Sequence, residues 1–107
     1  MKANPQIGEV WFIEFNYDQK PRYALVVGSH SDSRLAISSV LQITTQYGGT
    51  DFEVTLPRVP WLREQSYVNV QTIQPVKWIE FARKAPGQFQ PSVMIEVRRA
   101  LSRWLAL

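Results

Sequence analysis

The hydrophobic period of this 107-residue chain changes once, near Pro91, and that change limits the fold to a β body followed by one terminal helix. On a wheel of about 100° per residue, Val93, Met94, Val97, Ala100, Leu101, Trp104 and Leu105 form one apolar stripe. Glu96, Arg98, Arg99, Ser102 and Arg103 occupy the remaining, solvated face. Pro91 suits a first helical position, where its missing N–H costs nothing. The arginines in the C-terminal half complement the helix dipole. The pattern predicts a helix over Pro91–Leu107 that packs the sheet through Val97, Leu101 and Trp104. Ile95 alone lies opposite the stripe, so a contact with another molecule is one reading and an ordinary exposed residue is the other.

Before Pro91 the signals are those of strands. Glu9–Phe15 and Arg22–Gly28 are β-branched and aromatic runs, expected of strands covered on both faces. Gly28–Arg34 is a turn by composition. Leu35–Ile43 alternates with Leu35, Ile37, Leu41 and Ile43 on one side, which predicts a half-buried strand. Gly48-Gly49 makes 44–50 a loop. Asp51–Leu56 turns Phe52, Val54 and Leu56 inward, and Pro57 and Pro60 mark an irregular connection. Tyr67–Val76 reads as a further strand in which Pro75 ends regular pairing. Lys77–Phe81 reads as a last short strand before Lys84-Ala85-Pro86-Gly87. The fold class is mainly β (α+β): a small twisted SH3-like barrel with a C-terminal helix, one domain over residues 1–107.

With no cysteine, the chain has no disulfide, thiolate metal site or thiol nucleophile, so its stability rests on the hydrophobic core. A reducing, cytoplasmic setting fits this, and no segment reaches membrane-spanning length. The formal charge of +3 mildly favours a polyanionic partner. The single histidine, His30, sits in the Gly28–Arg34 turn with no evident group to orient it and reads as a solvated turn residue. No P-loop, dinucleotide glycine pattern or nucleophile elbow occurs, and one histidine without cysteine argues against zinc. No cofactor is expected.

Topology brings polar residues together. Strands 22–28 and 35–43 must pair as an antiparallel hairpin. A turn centred near Asp32 sets Arg22 opposite Leu41 or Gln42, with Thr44 and Lys20 at the same end. Tyr47 and the Gly48-Gly49 loop join that rim. Cations, hydroxyls and an aromatic ring on one edge fit a polyanion site, or a solvated loop mouth.

From Gly8 onward the chain resembles the MazF/PemK toxins of bacterial toxin–antitoxin systems. Gly8-Glu9-Val10-Trp11 is similar to the family's opening motif, and Arg22-Tyr23-Ala24-Leu25-Val26-Val27 to its R-P-A-L-V-L. Ile43-Thr44-Thr45-Gln46 matches I-T-T-Q, and Phe52-Glu53-Val54-Thr55-Leu56 matches F-E-V-x-L. Ala82–Gly87 resembles A-R-K-A-G with a proline inserted, and Ile95–Leu101 matches the terminal helix. The resemblance implies a metal-independent, sequence-specific endoribonuclease that cuts single-stranded RNA, including mRNA. In it the 2′-hydroxyl attacks the neighbouring phosphate. The catalytic residues it implies are Arg22 and Thr44, with Tyr17, Lys20, Thr45, Gln46, Tyr47, Asn69 and Gln71 as RNA contacts. A homodimer and a small acidic antitoxin are implied as well.

The chain departs from the family pattern in three places. Tyr23 stands where the family has proline, and the 16–21 loop is short. Asn69, Gln71 and Gln74 replace an acid and an arginine that some members carry. Two other readings use the same fold: a gyrase poison like the related CcdB toxins, and a catalytically inactive RNA- or protein-binding barrel.

Overall fold

The computed structural model describes residues 3–15, 20–30, 32 and 34–107. The chain runs β1 (Val10–Ile13), β2 (Arg22–Gly28), β3 (Ile37–Thr44), β4 (Glu53–Thr55), β5 (Tyr67–Asn69), β6 (Gln74–Lys77), β7 (Phe81–Lys84) and α1 (Pro91–Leu105). All pairings are antiparallel, in the order β4-β5-β3-β2-β1-β7, with β6 also on β3. The sheet twists without closing, since β4 and β7 stand at opposite ends of this path. The mainly β architecture with a C-terminal helix is thus the one the period change predicts.

β3 organises the sheet. Its first half pairs β6 through Ile37↔Lys77 to Val40↔Gln74, and its last two residues pair β5 through Ile43↔Val68 and Thr44↔Tyr67. Burial on both faces, rather than on one, also sets the strand apart from a half-buried one. Ser38 and Val40 are buried on one side, and Leu41 and Ile43 on the other. Leu35, expected to face inward, lies before the strand and is 76% exposed.

The stretch expected as one strand from Tyr67 to Val76 is broken. Asn69 caps a short 3-10 turn at Val70–Thr72, its side-chain oxygen accepting the Gln71 N–H at 2.9 Å. Asparagine is a strong cap because that short carbonyl satisfies an N–H the turn leaves unpaired. Pro75 does not end pairing: it stands opposite Ser39 within β6, an outer strand on which a missing N–H is tolerated. A second 3-10 turn at Trp78–Glu80 replaces the expected strand, and β7 follows it.

Two apolar clusters flank the sheet. One joins Val10, Leu25, Leu41, Ile43 and Val68 to the helix through Val93, Val97 and Ala100. The other gathers Ile13, Ala24, Val26, Val40 and Val76 under Trp11 and Trp78. Alternation along β2 feeds both, with Leu25 in the first cluster and Ala24 and Val26 in the second. Tyr23, in place of the family's proline, packs edge-on against Phe12 and Trp61.

The helix ends at Leu105, two residues short of the expected end, because Ala106 adopts a left-handed conformation at φ 58°. Its N–H and that of Leu107 both donate to the Ser102 carbonyl. Trp104 is less enclosed than the wheel predicts: it meets Phe52 edge-on but is 42% exposed. His30 is exposed as expected, but it is oriented, since its ring Nδ1 contacts the Asp32 carboxylate.

Candidate active site

β2 and β3 carry the site because their hairpin register aligns their polar ends. Ala24 pairs Gln42 and Leu25 pairs Leu41. Continued two residues, this register sets Arg22 level with Thr44, rather than with Leu41 or Gln42. The displacement arises because the connection extends through Ala36, so the turn centres beyond Asp32.

Arg22, Thr44, Tyr47, Glu53 and Asn69 line one groove of about 500 Å³, which Gln46 also borders. An adjoining depression of about 430 Å³ shares Arg22, Thr44 and Gln46 and adds Lys20 and Thr45. Together these hold most of the residues the sequence singles out. Gln71 is the exception among the described residues: its backbone N–H caps against Asn69, but its side chain lines neither concavity. Tyr17 lies outside the described residues. A more apolar cavity at Leu35, Trp78, Ile79 and Phe81 shares no residue with the groove.

Hydrogen-bond accounting separates three threonines on the groove. Thr72 is spent: its hydroxyl donates to the Asn69 carbonyl at 2.7 Å and accepts the Gln42 N–H at 3.4 Å. Thr50 is spent as well, donating to Glu53 at 2.8 Å and accepting the Phe52 N–H at 3.2 Å. Thr44 differs. Its oxygen accepts the Gln46 N–H at 3.1 Å, which leaves the hydroxyl proton without an acceptor among the described residues. Arg22 likewise has no hydrogen-bond or ion-pair partner among the described residues. A guanidinium and a hydroxyl therefore present unspent donors into one groove, a combination suited to a phosphodiester.

Glu53 lies in the F-E-V-x-L match and lines the groove, although no site role is expected of it from the sequence. Its carboxylate accepts the Gly48 N–H at 2.6 Å, the Thr50 N–H at 2.9 Å and the Thr50 hydroxyl. The Gly48 N–H, followed by the two Thr50 donors, holds the carboxyl below its ordinary pKa. Glycine suits this grip: a Cβ on Gly48 would crowd Glu53 Oε1 at 3.0 Å, and Gly49 has a φ of 73°, which favours glycine. Glu53 thus shapes the loop that carries Tyr47. The signal in the sequence is the Thr50-x-x-Glu53 spacing, that of a capping box.

Tyr47 stacks on Tyr67 with ring centroids 4.6 Å apart and is itself 56% exposed, leaving a planar surface on the groove. Among the described residues, no three His, Cys, Asp or Glu side chains stand together as a metal site. No described helix is long and apolar enough to cross a membrane.

Comparison with known proteins gives a consistent family. A family model described as PemK-like, MazF-like toxin of type II toxin–antitoxin system matches residues 6–105. No curated protein matches the chain. Among solved structures, an endoribonuclease in complex with its cognate antitoxin from Mycobacterial species is 22% identical, with a TM-score of 0.81 and 96% of each chain covered. The MazE–MazF complex from Deinococcus radiodurans is 22% identical, with a TM-score of 0.81 and 98% of each chain covered. The Mycobacterium tuberculosis toxin MazF-mt6 is 21% identical at a TM-score of 0.79, covering 92% of this chain and 97% of that one. At these identities the likeness is one of fold.

Proposed function

Because this chain belongs to the PemK-like, MazF-like toxins of type II toxin–antitoxin systems, we propose that it is a metal-independent, sequence-specific endoribonuclease acting on single-stranded RNA. Arg22 and Thr44 are its catalytic residues. The observation that carries this reading is the convergence of their unspent donors in one groove, where Thr50 and Thr72 are already committed. Endoribonucleases of the same fold support it.

In this reaction the 2′-hydroxyl oxygen bonds to the adjacent phosphorus as the bond to the next nucleotide's 5′-oxygen breaks. The products are a 2′,3′-cyclic phosphate and a 5′-hydroxyl. The 2′-hydroxyl proton passes to water, and water protonates the leaving oxygen. The guanidinium fork of Arg22 holds the non-bridging oxygens as negative charge builds on them, and the Thr44 hydroxyl donates to the same phosphate. Arg22 offers five N–H donors and no acceptor, so its part is to bind the phosphate oxygens rather than to take a proton. Glu53 is a poor base because its lowered pKa and three donors favour the carboxylate. Charge stabilisation and in-line positioning therefore supply the rate enhancement. Lys20, Thr45, Gln46 and Tyr47 line the path of the flanking nucleotides, and Gln71 and Tyr17 are further RNA contacts in this reading. Asn69 also belongs to the RNA contacts.

The physiological state in this reading is a cytoplasmic homodimer held in check by a small acidic antitoxin, a partner that the net charge of +3 suits. A gyrase poison gains one observation, the partial exposure of Trp104, but that ring is engaged edge-on with Phe52. The test is incubation with single-stranded RNA in EDTA, with analysis of product ends. Cyclic phosphate and 5′-hydroxyl ends are expected. Intact RNA, or inhibition of gyrase supercoiling without RNA cleavage, would overturn the reading.

A further inference from the structure

A carboxylate is an unexpected lining for a groove that takes a phosphodiester, because like charges repel. Glu53 nevertheless lines it beside Arg22 and Thr44. Pairing with Arg22 does not explain this, since Arg22 has no ion-pair partner among the described residues. Both carboxylate oxygens are instead turned onto the loop. Oε2 accepts the Gly48 N–H at 2.6 Å, while Oε1 accepts the Thr50 N–H at 2.9 Å and the Thr50 hydroxyl at 2.8 Å.

Residues 45–52 connect β3 to β4, and β5 lies between those two strands. Two strand spacings are about 10 Å, whereas a chain of this length reaches up to about 27 Å. The connection therefore has slack that side-chain contacts must take up. Among the described residues, the main chain of Tyr47, Gly48 and Gly49 makes no hydrogen bond except that of Gly48 to Glu53. The Tyr47 ring rests on Tyr67 at 4.6 Å between centroids, but an exposed ring pair is a weak tether. The Gln46 N–H on the Thr44 hydroxyl oxygen, at 3.1 Å, lies just two residues before Gly48. The carboxylate thus fixes the segment that both Tyr47 and the Thr44 contact depend on.

We propose that Glu53 is a positioning residue for RNA cleavage: its grip on Gly48 and Thr50 keeps Tyr47 on Tyr67 and holds Gln46 where its N–H orients the Thr44 hydroxyl. This rests on the endoribonuclease reading and adds to it a residue that acts through the loop rather than on the substrate. The grip outweighs the repulsion, so taking this negative charge out of the groove weakens RNA binding. A carboxylate without such a role would do the opposite, because its removal would favour a polyanion.

The experiment compares wild type, Glu53→Gln and Glu96→Gln on one single-stranded RNA in EDTA at a fixed salt concentration. Glutamine at 53 keeps one acceptor oxygen and sets its NH2 against a Gly48 or Thr50 donor. Glu96 is exposed, borders an adjoining depression with Glu53 and makes no hydrogen bond to the loop among the described residues, so its replacement removes the same charge without the grip. RNA affinity, read by fluorescence anisotropy, is expected to fall about fivefold in Glu53→Gln, the equivalent of one hydrogen bond of ordinary net strength. In Glu96→Gln it should stay level or rise. The single-turnover rate at saturating RNA should also fall in Glu53→Gln, because the Thr44 hydroxyl loses its orientation. In the free protein, amide exchange should quicken at Gly48 and Thr50 in Glu53→Gln and stay unchanged at Leu25, which shows that the fold is intact. Affinity at or above wild type in Glu53→Gln, an equal loss in Glu96→Gln, or unchanged exchange at Gly48 overturns the proposal. Wild-type cleavage that Glu53→Gln matches would leave the endoribonuclease reading standing without it. A wild type that neither binds nor cuts RNA would sink that reading and this role with it.

Discussion

The Gln46 N–H donates to the Thr44 hydroxyl oxygen at 3.1 Å, so the hydroxyl is oriented by backbone while its own proton stays available. Thr44→Val should remove that donor from the phosphate at little cost to folding, since the site lies at the end of β3 beside exposed residues. RNA cleavage should fall by about 10²-fold, within the range seen for loss of one transition-state donor. Thr72→Val offers the contrast. It strips a hydroxyl bonded to Asn69 and Gln42, so it should lower stability by about 1 kcal/mol and reduce cleavage far less. Single-turnover rates and urea melts of both variants decide the comparison.

Ser38 is 1% exposed and receives the Trp78 indole N–H at 2.8 Å while sharing a hydrogen bond with Ser29. Ser38→Ala should leave the indole donor without an acceptor in a half-buried setting and destabilise the fold by about 1–3 kcal/mol. Chemical denaturation should report the loss. A stability equal to wild type would mean that water replaces the serine.

Among the described residues, two carboxylates with lowered pKa contribute to the acid limb of stability. Burial acts to raise the Glu9 pKa, but the Trp11 indole, the Gln6 N–H and Lys84 together bring it below its ordinary value. The Gly48 and Thr50 donors lower Glu53. A carboxyl whose folded pKa is depressed stabilises the fold above its unfolded pKa, about 4.3, and loses that contribution as pH falls through the folded value. Thermal stability should therefore be level above about pH 5 and drop at lower pH. Glu9→Gln should start lower and show a shallower acid limb. A wild-type midpoint unchanged down to pH 3 would contradict this.

The deep core should respond as a close-packed interior does. Leu25 is fully buried between β1 and β3 in the cluster beneath the helix. Leu25→Ala should cost about 2–5 kcal/mol, a large share of the stability of a domain this size. Val97→Ala, on the facing helix, should cost less because fewer buried atoms are removed. Urea titration of the two variants checks the order.

Much of this architecture is legible in the residues themselves. β2 spans Arg22–Gly28 as read, because an apolar run there is bounded by Pro21 and a glycine. The helix is legible because a 3.6-residue stripe cannot be mistaken for strand alternation over fifteen residues. The errors share a cause in tertiary context. Alternation across Leu35–Ile43 misleads because β3 is covered on both faces, so side-chain polarity no longer marks its inner side. The break at Asn69 depends on one capping hydrogen bond, and Pro75 is tolerated only because β6 lies on the outside of β3. At the groove, hairpin spacing brings Arg22 and Thr44 to the same end of the sheet but misses their register. Glu53 leaves only the Thr50-x-x-Glu53 spacing in the sequence, and its grip on the loop appears when the Gly48-Gly49 segment folds back over it.

Stabilisation of the phosphate by Arg22 during RNA cleavage is the step on which the proposed function turns. Its most direct test is the single-turnover cleavage rate of wild type and Arg22→Ala on the same single-stranded RNA in EDTA, with circular dichroism confirming equal folding. Cleavage by wild type and a loss of about 10²–10³-fold in the variant are expected. Equal rates in two folded proteins, or no cleavage by wild type, would contradict it.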